Sequence, residues 1–194
     1  MKTKRNTRGS GYFEGYLAKQ RAAIARKYIG AKFSQGRILD LGCGTYPLFL
    51  STMSSFTKYA IDKLEVENIE NIHFFKEDLE NGNRLPFDDG FFEAVSALAV
   101  IEHLDAKSVR KTLLEANRVL KKNGLLVLTT PADWSDRILR FMAALNIVSR
   151  QEVSEHKSLF NPGSIKHLLN EIGFRRVRTG SFELGMNLFA IAEK

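Results

Sequence analysis

The sequence is poor in cysteine, proline and tryptophan: its 194 residues include one cysteine, Cys43, four prolines and one tryptophan. With a single cysteine, the chain cannot form an intramolecular disulfide or a metal site built from several thiolates. It also lacks any apolar run near the ~20 residues that a membrane-spanning helix requires. The basic start is not followed by an apolar segment, which argues against a secretory signal. We therefore expect a cytoplasmic protein without a transmembrane segment or a bound metal.

The rest of the composition is that of an ordinary globular protein, with 44% hydrophobic and 26% charged residues. A chain of this length is enough for one substantial domain with its own core. No internal repeat or low-complexity segment divides it. We predict a disordered basic arm over residues 1–11 and a single domain over residues 12–194.

The formal net charge is +7, and the first eight residues supply more than half of it. That stretch has no acid and four basic side chains: Lys2, Lys4, Arg5 and Arg8. A short basic arm is most often a solvated terminus, and an arm that tracks phosphates is the alternative. Nucleic acid is therefore not the expected partner.

Apolar runs and helical periodicities alternate along the chain. The apolar runs predict seven strands, at residues 37–41, 58–62, 72–78, 91–100, 125–131, 175–182 and 187–194. Helical spacing predicts helices at residues 12–29, from near Pro47, at 105–121 up to Asn123-Gly124, and between Asn161-Pro162 and Gly173.

Strands that alternate with helices predict an α/β fold with a parallel sheet and helices on both faces. The last two strands are too close in sequence for a parallel crossover, so they must be antiparallel neighbours. We expect a doubly wound, Rossmann-like sheet of seven strands, mostly parallel, with one antiparallel edge strand. Ligands bind such sheets at the carboxyl ends of the strands, where the strand order reverses.

Acids follow three successive predicted strands. In "RILDLGCGTYPLFL", Asp40 precedes Gly42 and Gly44, which would let a ligand approach the backbone at the start of a helix. Asp62 lies at the end of the next strand, where a carboxylate can accept both hydroxyls of a ribose. We expect this carboxylate to be exposed when the site is empty, so that its loss weakens cofactor binding far more than folding. Asp78 ends the third strand and could face an adenine edge. The alternatives are a tight structural turn for the glycines, a surface acid for Asp62 and a capping residue for Asp78.

A nicotinamide dinucleotide fits this turn poorly. Pro47 stands where the G-x-G-x-x-G pattern places its third glycine. Asp40 would repel a pyrophosphate and favour a cationic group such as an ammonium. Cys43 between the glycines is more simply a small residue filling a crowded turn than a nucleophile.

The motifs "ILDLGCGTYP", "AID", "KEDLENGNRLPFDDGFFEAV", "SALAVIEHL" and "EANRVLKKNGLLVLTTP" together resemble a class I S-adenosylmethionine-dependent methyltransferase. The resemblance is to the small-molecule, type 11-like group, and it covers residues 36–131. It implies S-adenosyl-L-methionine as the cofactor. It implies site residues along the whole ligand: Asp40, Gly42, Cys43 and Gly44 at the methionine end, Asp62 and Lys63 at the ribose, Asp78 and Leu79 at the adenine, and Ala97 or Leu98 beside the sulfonium.

Methyl transfer from a sulfonium needs alignment and exclusion of water more than a catalytic dyad, so the sequence names no base. His103, in the "EH" pair after the fourth strand, is expected to pack rather than to catalyse. The segment 132–160 is apolar enough to cover the site as a lid and to line a pocket for a hydrophobic or glycan-lipid small molecule. A helix packed on the domain is its alternative. An RNA methyltransferase and a non-catalytic partner with the same fold remain rival hypotheses.

Overall fold

The computed structural model describes residues 14–65, 70–135 and 157–194. The basic arm and most of the predicted lid fall outside these ranges. Four helices are described: α1 (Glu14–Lys32), α2 (Leu48–Ser51), α3 (Ala106–Val119) and α4 (Pro162–Ile172). Seven strands are described: β1 (Gly36–Leu41), β2 (Phe56–Asp62), β3 (Ile72–Lys76), β4 (Phe92–Leu98), β5 (Leu120–Pro131), β6 (Arg175–Phe182) and β7 (Asn187–Glu193).

The seven strands form one sheet in the order β3-β2-β1-β4-β5-β7-β6. Strands β1 to β5 pair in parallel, whereas β7 is antiparallel to both β5 and β6. The predicted α/β fold, mostly parallel with an antiparallel edge region, is confirmed. The reversed strand is β7, which lies one place in from the edge, and β6 is outermost. The order reverses between β1 and β4, so the carboxyl ends of these two strands flank the expected ligand crevice.

Apolar residues cover both faces of the sheet, which is why the central strands are almost continuously hydrophobic. One face carries α3 and α4, with Leu113 and Leu169 fully buried against the strands. The other carries α1 and α2, with Ile29 and Leu50 buried there. This two-layer burial fixes the sheet and holds the strand ends at one rim.

Local capping explains where α3 and α4 begin and end. The Asp105 carboxylate accepts a hydrogen bond from the Ser108 amide at 2.7 Å and caps α3. Asn161 and Ser164 form a reciprocal capping box at the start of α4, with Pro162 as its first residue. Gly173 ends α4 in a left-handed conformation. The sequence signals for α4 are thus confirmed.

Two local expectations are wrong. Asn123-Gly124 does not end α3: the helix stops at Val119, and β5 begins at once. The pair lies in an irregular stretch of β5, where Asn123 adopts a left-handed φ of 63°. The helix predicted to start near Pro47 is confirmed, and it has four residues. The third strand ends at Lys76, two residues before Asp78, because Asp78 turns outward to cap a short 3₁₀ turn.

The turn between β6 and β7 has an unusual backbone. Its three successive residues Glu183, Leu184 and Gly185 have φ values of 52°, 57° and 87°. Residues other than glycine rarely adopt this left-handed conformation. The turn is nevertheless fixed to the end of β5, because the Ser135 hydroxyl donates to the Met186 carbonyl at 2.8 Å.

Candidate functional site

A cleft of about 400 Å³, partly open to solvent, lies at the carboxyl ends of β1, β2 and β4 and beside the turn after β3. The described residues that line it are Gly42, Asp62, Lys63, Glu77, Asp78, Leu79, Glu80, Val100, His103 and Leu104. Five of them belong to the ten site residues predicted from sequence: Gly42, Asp62, Lys63, Asp78 and Leu79. The structure therefore brings half of the predicted set into one cleft.

Asp62 is the most buried acid of the cleft, with 1% of its surface exposed. One carboxylate oxygen accepts the Gly44 amide at 2.8 Å, and the other accepts the Leu64 amide at 2.9 Å. The expectation that this carboxylate stands exposed at the strand end is wrong, because the glycine turn folds back over it.

Asp40, near the end of β1, is also buried, with 4% of its surface exposed. The Ser96 hydroxyl of β4 donates to it at 2.6 Å. Burial raises the pKa of Asp40 from 3.8 to about 7, the Ser96 hydrogen bond opposes this rise, and the nearby Asp62 charge adds to it. Asp40 is thus a carboxyl group that changes charge near neutral pH.

The fold itself requires the glycine turn. Gly42 and Gly44 have φ values of 66° and 71°, which glycine adopts at little cost. A Cβ placed on Gly42 would lie 2.6 Å from Cγ2 of Val100, at the end of β4. Cys43 between them is buried, in agreement with a small residue filling the turn. The structural interpretation of these glycines is therefore supported, and their role in ligand binding stays a prediction.

Asp78 and Leu79 line the cleft where it meets the turn after β3. The Asp78 carboxylate accepts the Glu80 amide at 3.0 Å, so it is also the capping residue considered from the sequence. Ala97 is fully buried in β4, and Leu98 is half-buried beside it. Neither these two residues nor Asp40, Cys43 and Gly44 line the cleft itself.

Sequence reasoning missed the part of the cleft wall that loops supply. Val100, His103 and Leu104 come from the segment after β4, and the "EH" pair was the one signal that pointed there. Lys157 forms an ion pair with Glu80 at the cleft. The amide of Lys157 also donates to the Glu102 carbonyl at 2.7 Å, which ties the last part of the predicted lid segment to the residues after β4.

Comparison with known proteins identifies the family. Residues 13–179 match the family described as a methyltransferase domain, so the chain belongs to that family. S-adenosylmethionine is accordingly its cofactor. The comparison with curated proteins gives no match. None of the helices in the described residues combines the length and apolar character needed to traverse a bilayer.

Solved structures share the fold at low identity. A SAM-dependent methyltransferase from Archaeoglobus fulgidus is similar with a TM-score of 0.68 and 20% identity, covering 94% of this chain and 98% of that one. A chain of the complex containing the Haloferax volcanii Trm112 methyltransferase activator is similar with a TM-score of 0.66 and 13% identity, covering 95% of this chain and 98% of that one. Haemonchus contortus phosphoethanolamine N-methyltransferase 2, in complex with S-adenosyl-L-methionine, is similar with a TM-score of 0.67 and 14% identity, covering 90% of this chain and 52% of that one.

Proposed function

We propose that the protein is an active methyltransferase that moves a methyl group from S-adenosylmethionine to a small-molecule acceptor. The observation that carries the proposal is the cleft itself. It joins Gly42 of the glycine turn, four acidic side chains and the apolar side chains of Leu79 and Val100 at the point where the strand order reverses. That combination suits a ligand with an apolar base, a hydroxylated sugar and a charged amino-acid end.

The proposed residue roles follow the order of the strands. Asp40, Gly42 and Gly44 would hold the methionine end, with Cys43 packing the turn. Asp62 with its neighbour Lys63 would take the ribose, and Asp78 with Leu79 the adenine. Ala97 and Leu98, at the end of β4, would lie beside the sulfonium. The chemistry of these groups supports the assignment, because carboxylates accept hydrogen bonds from hydroxyl and ammonium groups.

A positively charged sulfonium supplies an already activated methyl group when bound. The protein's part is then to orient the acceptor, exclude water and, where needed, accept a proton. His103 lines the cleft and is half-buried, so it is placed to contact a bound molecule. The ion pair of Lys157 with Glu80 would help to keep water from the adenine side.

The decisive experiment is calorimetry with S-adenosylhomocysteine and, separately, with NAD. We expect binding of S-adenosylhomocysteine and none of NAD, because Asp40 and Pro47 disfavour a pyrophosphate. Glu65→Gln removes one acid of an exposed ion pair and is a matched control. It should bind S-adenosylhomocysteine with unchanged affinity. Tighter binding of NAD than of S-adenosylhomocysteine would overturn the assignment.

Turnover by the purified chain alone separates two versions of the proposal. Similarity to a chain from a complex with a methyltransferase activator favours, as a second candidate, an enzyme that requires a partner protein. Transfer of labelled methyl to small molecules from a cell extract would support the independent enzyme. Cofactor binding without transfer to small molecules or RNA would support the partner-dependent one.

The pKa of Asp40 predicts a pH-dependent affinity. If the ionised carboxylate holds the ammonium of the cofactor, affinity for S-adenosylhomocysteine should fall as the pH drops below about 7. The limiting slope is about tenfold per pH unit, because one proton competes with the ligand. Removing the Ser96 hydrogen bond raises the Asp40 pKa further, so Ser96→Ala should move the midpoint to higher pH. A flat profile between pH 6 and pH 8 (about two units around the midpoint) would contradict the contact.

The free protein should show the opposite trend in stability. The folded pKa of Asp40 is raised above its unfolded value of 3.8, so the proton favours the folded state. This contribution is present at pH values below the unfolded pKa and is lost as the pH rises through about 7. Urea unfolding of the wild type and of Asp40→Asn across this interval should show a slope that only the wild type has.

A further inference from the structure

The connection between β3 and β4, which lies wholly within the described part of the chain, contains no α-helix. Residues 77–91 cross from one strand to the other with only a short 3₁₀ turn, Leu79–Asn81. Parallel strands are usually joined through a helix that packs on the sheet and fixes the connection. This connection, which we call the β3–β4 loop, must therefore be held in another way. Its first residues line the cleft.

The wall that the β3–β4 loop adds to the cleft is thin. Glu77, Asp78 and Leu79 line the cleft, and they also line a second hollow of about 310 Å³. Thr112 and Glu115 of α3 belong to the lining of that hollow as well. The proposed adenine side of the cofactor site thus borders open space on two sides, so close packing fixes its position only in part.

One face of α3 carries a row of polar side chains. They recur at intervals of four, three and three residues, which is the spacing of a single helical face: Ser108, Thr112, Glu115 and Arg118. Ser108 and Thr112 are each 4% exposed, and the side chains of Glu115 and Arg118 are 19% and 17% exposed. Polar groups are costly to bury unless they are paired, so the partners of this row show what it does.

Arg118 and Glu115 hold the second half of the loop through its backbone. The Arg118 guanidinium donates to the carbonyl oxygens of Leu85 at 3.1 Å and Phe87 at 2.8 Å. It also donates to both carboxylate oxygens of Glu115, at 2.8 Å and 2.7 Å. Glu115 in turn accepts the Leu85 amide at 2.8 Å. Both backbone groups of the buried Leu85 are therefore held by one ion pair of α3.

Ser108 holds the first half of the loop, beside the cleft. Its hydroxyl donates to the Glu80 carbonyl at 2.9 Å. The Glu80 amide donates to the Asp78 carboxylate at 3.0 Å, so the carboxylate is bonded to a residue that α3 holds directly. We call the three residues whose side chains bond to the loop, Ser108, Glu115 and Arg118, the α3 clamp.

We infer that the α3 clamp positions the adenine side of the cofactor site and thereby sets the preference of the cleft for adenine. The inference rests on the proposed function, because it takes Asp78 and Leu79 as the adenine contacts. The clamp residues are not among the described residues that line the cleft, so they act as positioning residues through Leu85 and Glu80. With the clamp intact, the Asp78 carboxylate stays where it can accept a hydrogen bond from the exocyclic amine of adenine.

The first test is calorimetry of Arg118→Lys with S-adenosylhomocysteine. Lysine keeps the positive charge but lacks the planar fork that bonds two carbonyls and a carboxylate together. We expect the affinity to fall about tenfold, because the loop loses its charged hydrogen bonds. Arg110→Lys is the matched control: Arg110 lies on the same helix and pairs with Glu171 of α4, where both side chains are exposed. Its affinity should be unchanged.

A second ligand separates positioning from stability. S-inosylhomocysteine carries a carbonyl oxygen in place of the exocyclic amine, and a carboxylate cannot accept a hydrogen bond from that oxygen. The wild type should therefore prefer S-adenosylhomocysteine, and Arg118→Lys should lose most of this preference. In the Asp78→Ala background, adding Arg118→Lys should change the affinity by less than about twofold, because the contact on which the clamp acts is already gone. A loss of stability alone would produce neither result in the folded protein.

Ser108→Ala decides the matter if circular dichroism shows that Arg118→Lys does not fold. It removes only the hydroxyl that holds Glu80, and it should weaken both the affinity and the adenine preference. Wild-type preference in every folded clamp variant, or the same effect of Arg118→Lys with and without Asp78, would overturn the inference. Equal binding of the two ligands by the wild type would overturn it as well. Failure of the wild type to bind S-adenosylhomocysteine would instead defeat the proposed function.

Discussion

Replacing Gly42 with valine should abolish binding of S-adenosylhomocysteine. The Gly42 φ of 66° lies in the left-handed region, which a β-branched residue adopts at a cost of about 1–3 kcal/mol. A Cβ there would also lie 2.6 Å from Cγ2 of Val100, so the new side chain must displace a residue of the cleft wall. We expect affinity to fall by more than about 100-fold, equivalent to ~3 kcal/mol. Calorimetry measures the loss.

Gly30→Val is the matched control for this variant. Gly30 lies in α1, and a Cβ placed on it would meet no atom within 4 Å. It should bind S-adenosylhomocysteine as the wild type does. A folded Gly42→Val protein with wild-type affinity would remove Gly42 from the proposed site and leave it a purely structural glycine.

Asp62→Ala should impair both the fold and the cofactor site. The sequence alone suggested a carboxylate whose loss affects binding far more than folding. The structure changes this expectation, because Asp62 accepts the amides of Gly44 and Leu64 while almost fully buried. Leaving these amides without their acceptor should lower the free energy of unfolding by about 2–4 kcal/mol. The glycine turn would lose its anchor, and cofactor binding should become undetectable.

Asp78→Ala provides the comparison for this result. Asp78 lines the same cleft, but it accepts a single amide, that of Glu80, and caps only a three-residue 3₁₀ turn. It should lose affinity while keeping its unfolding free energy within about 1 kcal/mol of the wild type. Urea unfolding and calorimetry on both variants test the pair. Equal stability of Asp62→Ala and the wild type would show that the buried contacts of Asp62 contribute little.

The elements that the sequence predicts well are those specified by local chemistry. Asn161, Pro162 and Gly173 each act on the backbone next to them, so both ends of α4 follow from the sequence. Asn123-Gly124 carries a similar local signal, yet pairing of Leu120 with Phe92 draws the chain into β5 before that signal is reached. The position of β7 inside the sheet is likewise decided by tertiary pairing, which no local pattern encodes.

The candidate site likewise has features that the sequence predicts and features that it does not. The acids at strand ends and the glycines of the first turn can be predicted from the sequence, because the carboxyl ends of parallel strands lie at one edge of the sheet. The burial of Asp62 could not be predicted from the sequence, because it depends on how the glycine turn closes over the strand end.

The insertion of β7 between β5 and β6 constrains the order of events during synthesis. Strands β1 to β5 can assemble as soon as they leave the ribosome, because each pairs with earlier neighbours. β5 then keeps an open edge of unpaired amides and carbonyls until residues 187–193 emerge, and β6 has no partner before that time. Open hydrophobic edges of this kind recruit other strands. The nascent chain is therefore most prone to aggregation, and most in need of a chaperone, in the interval after β5 and before β7.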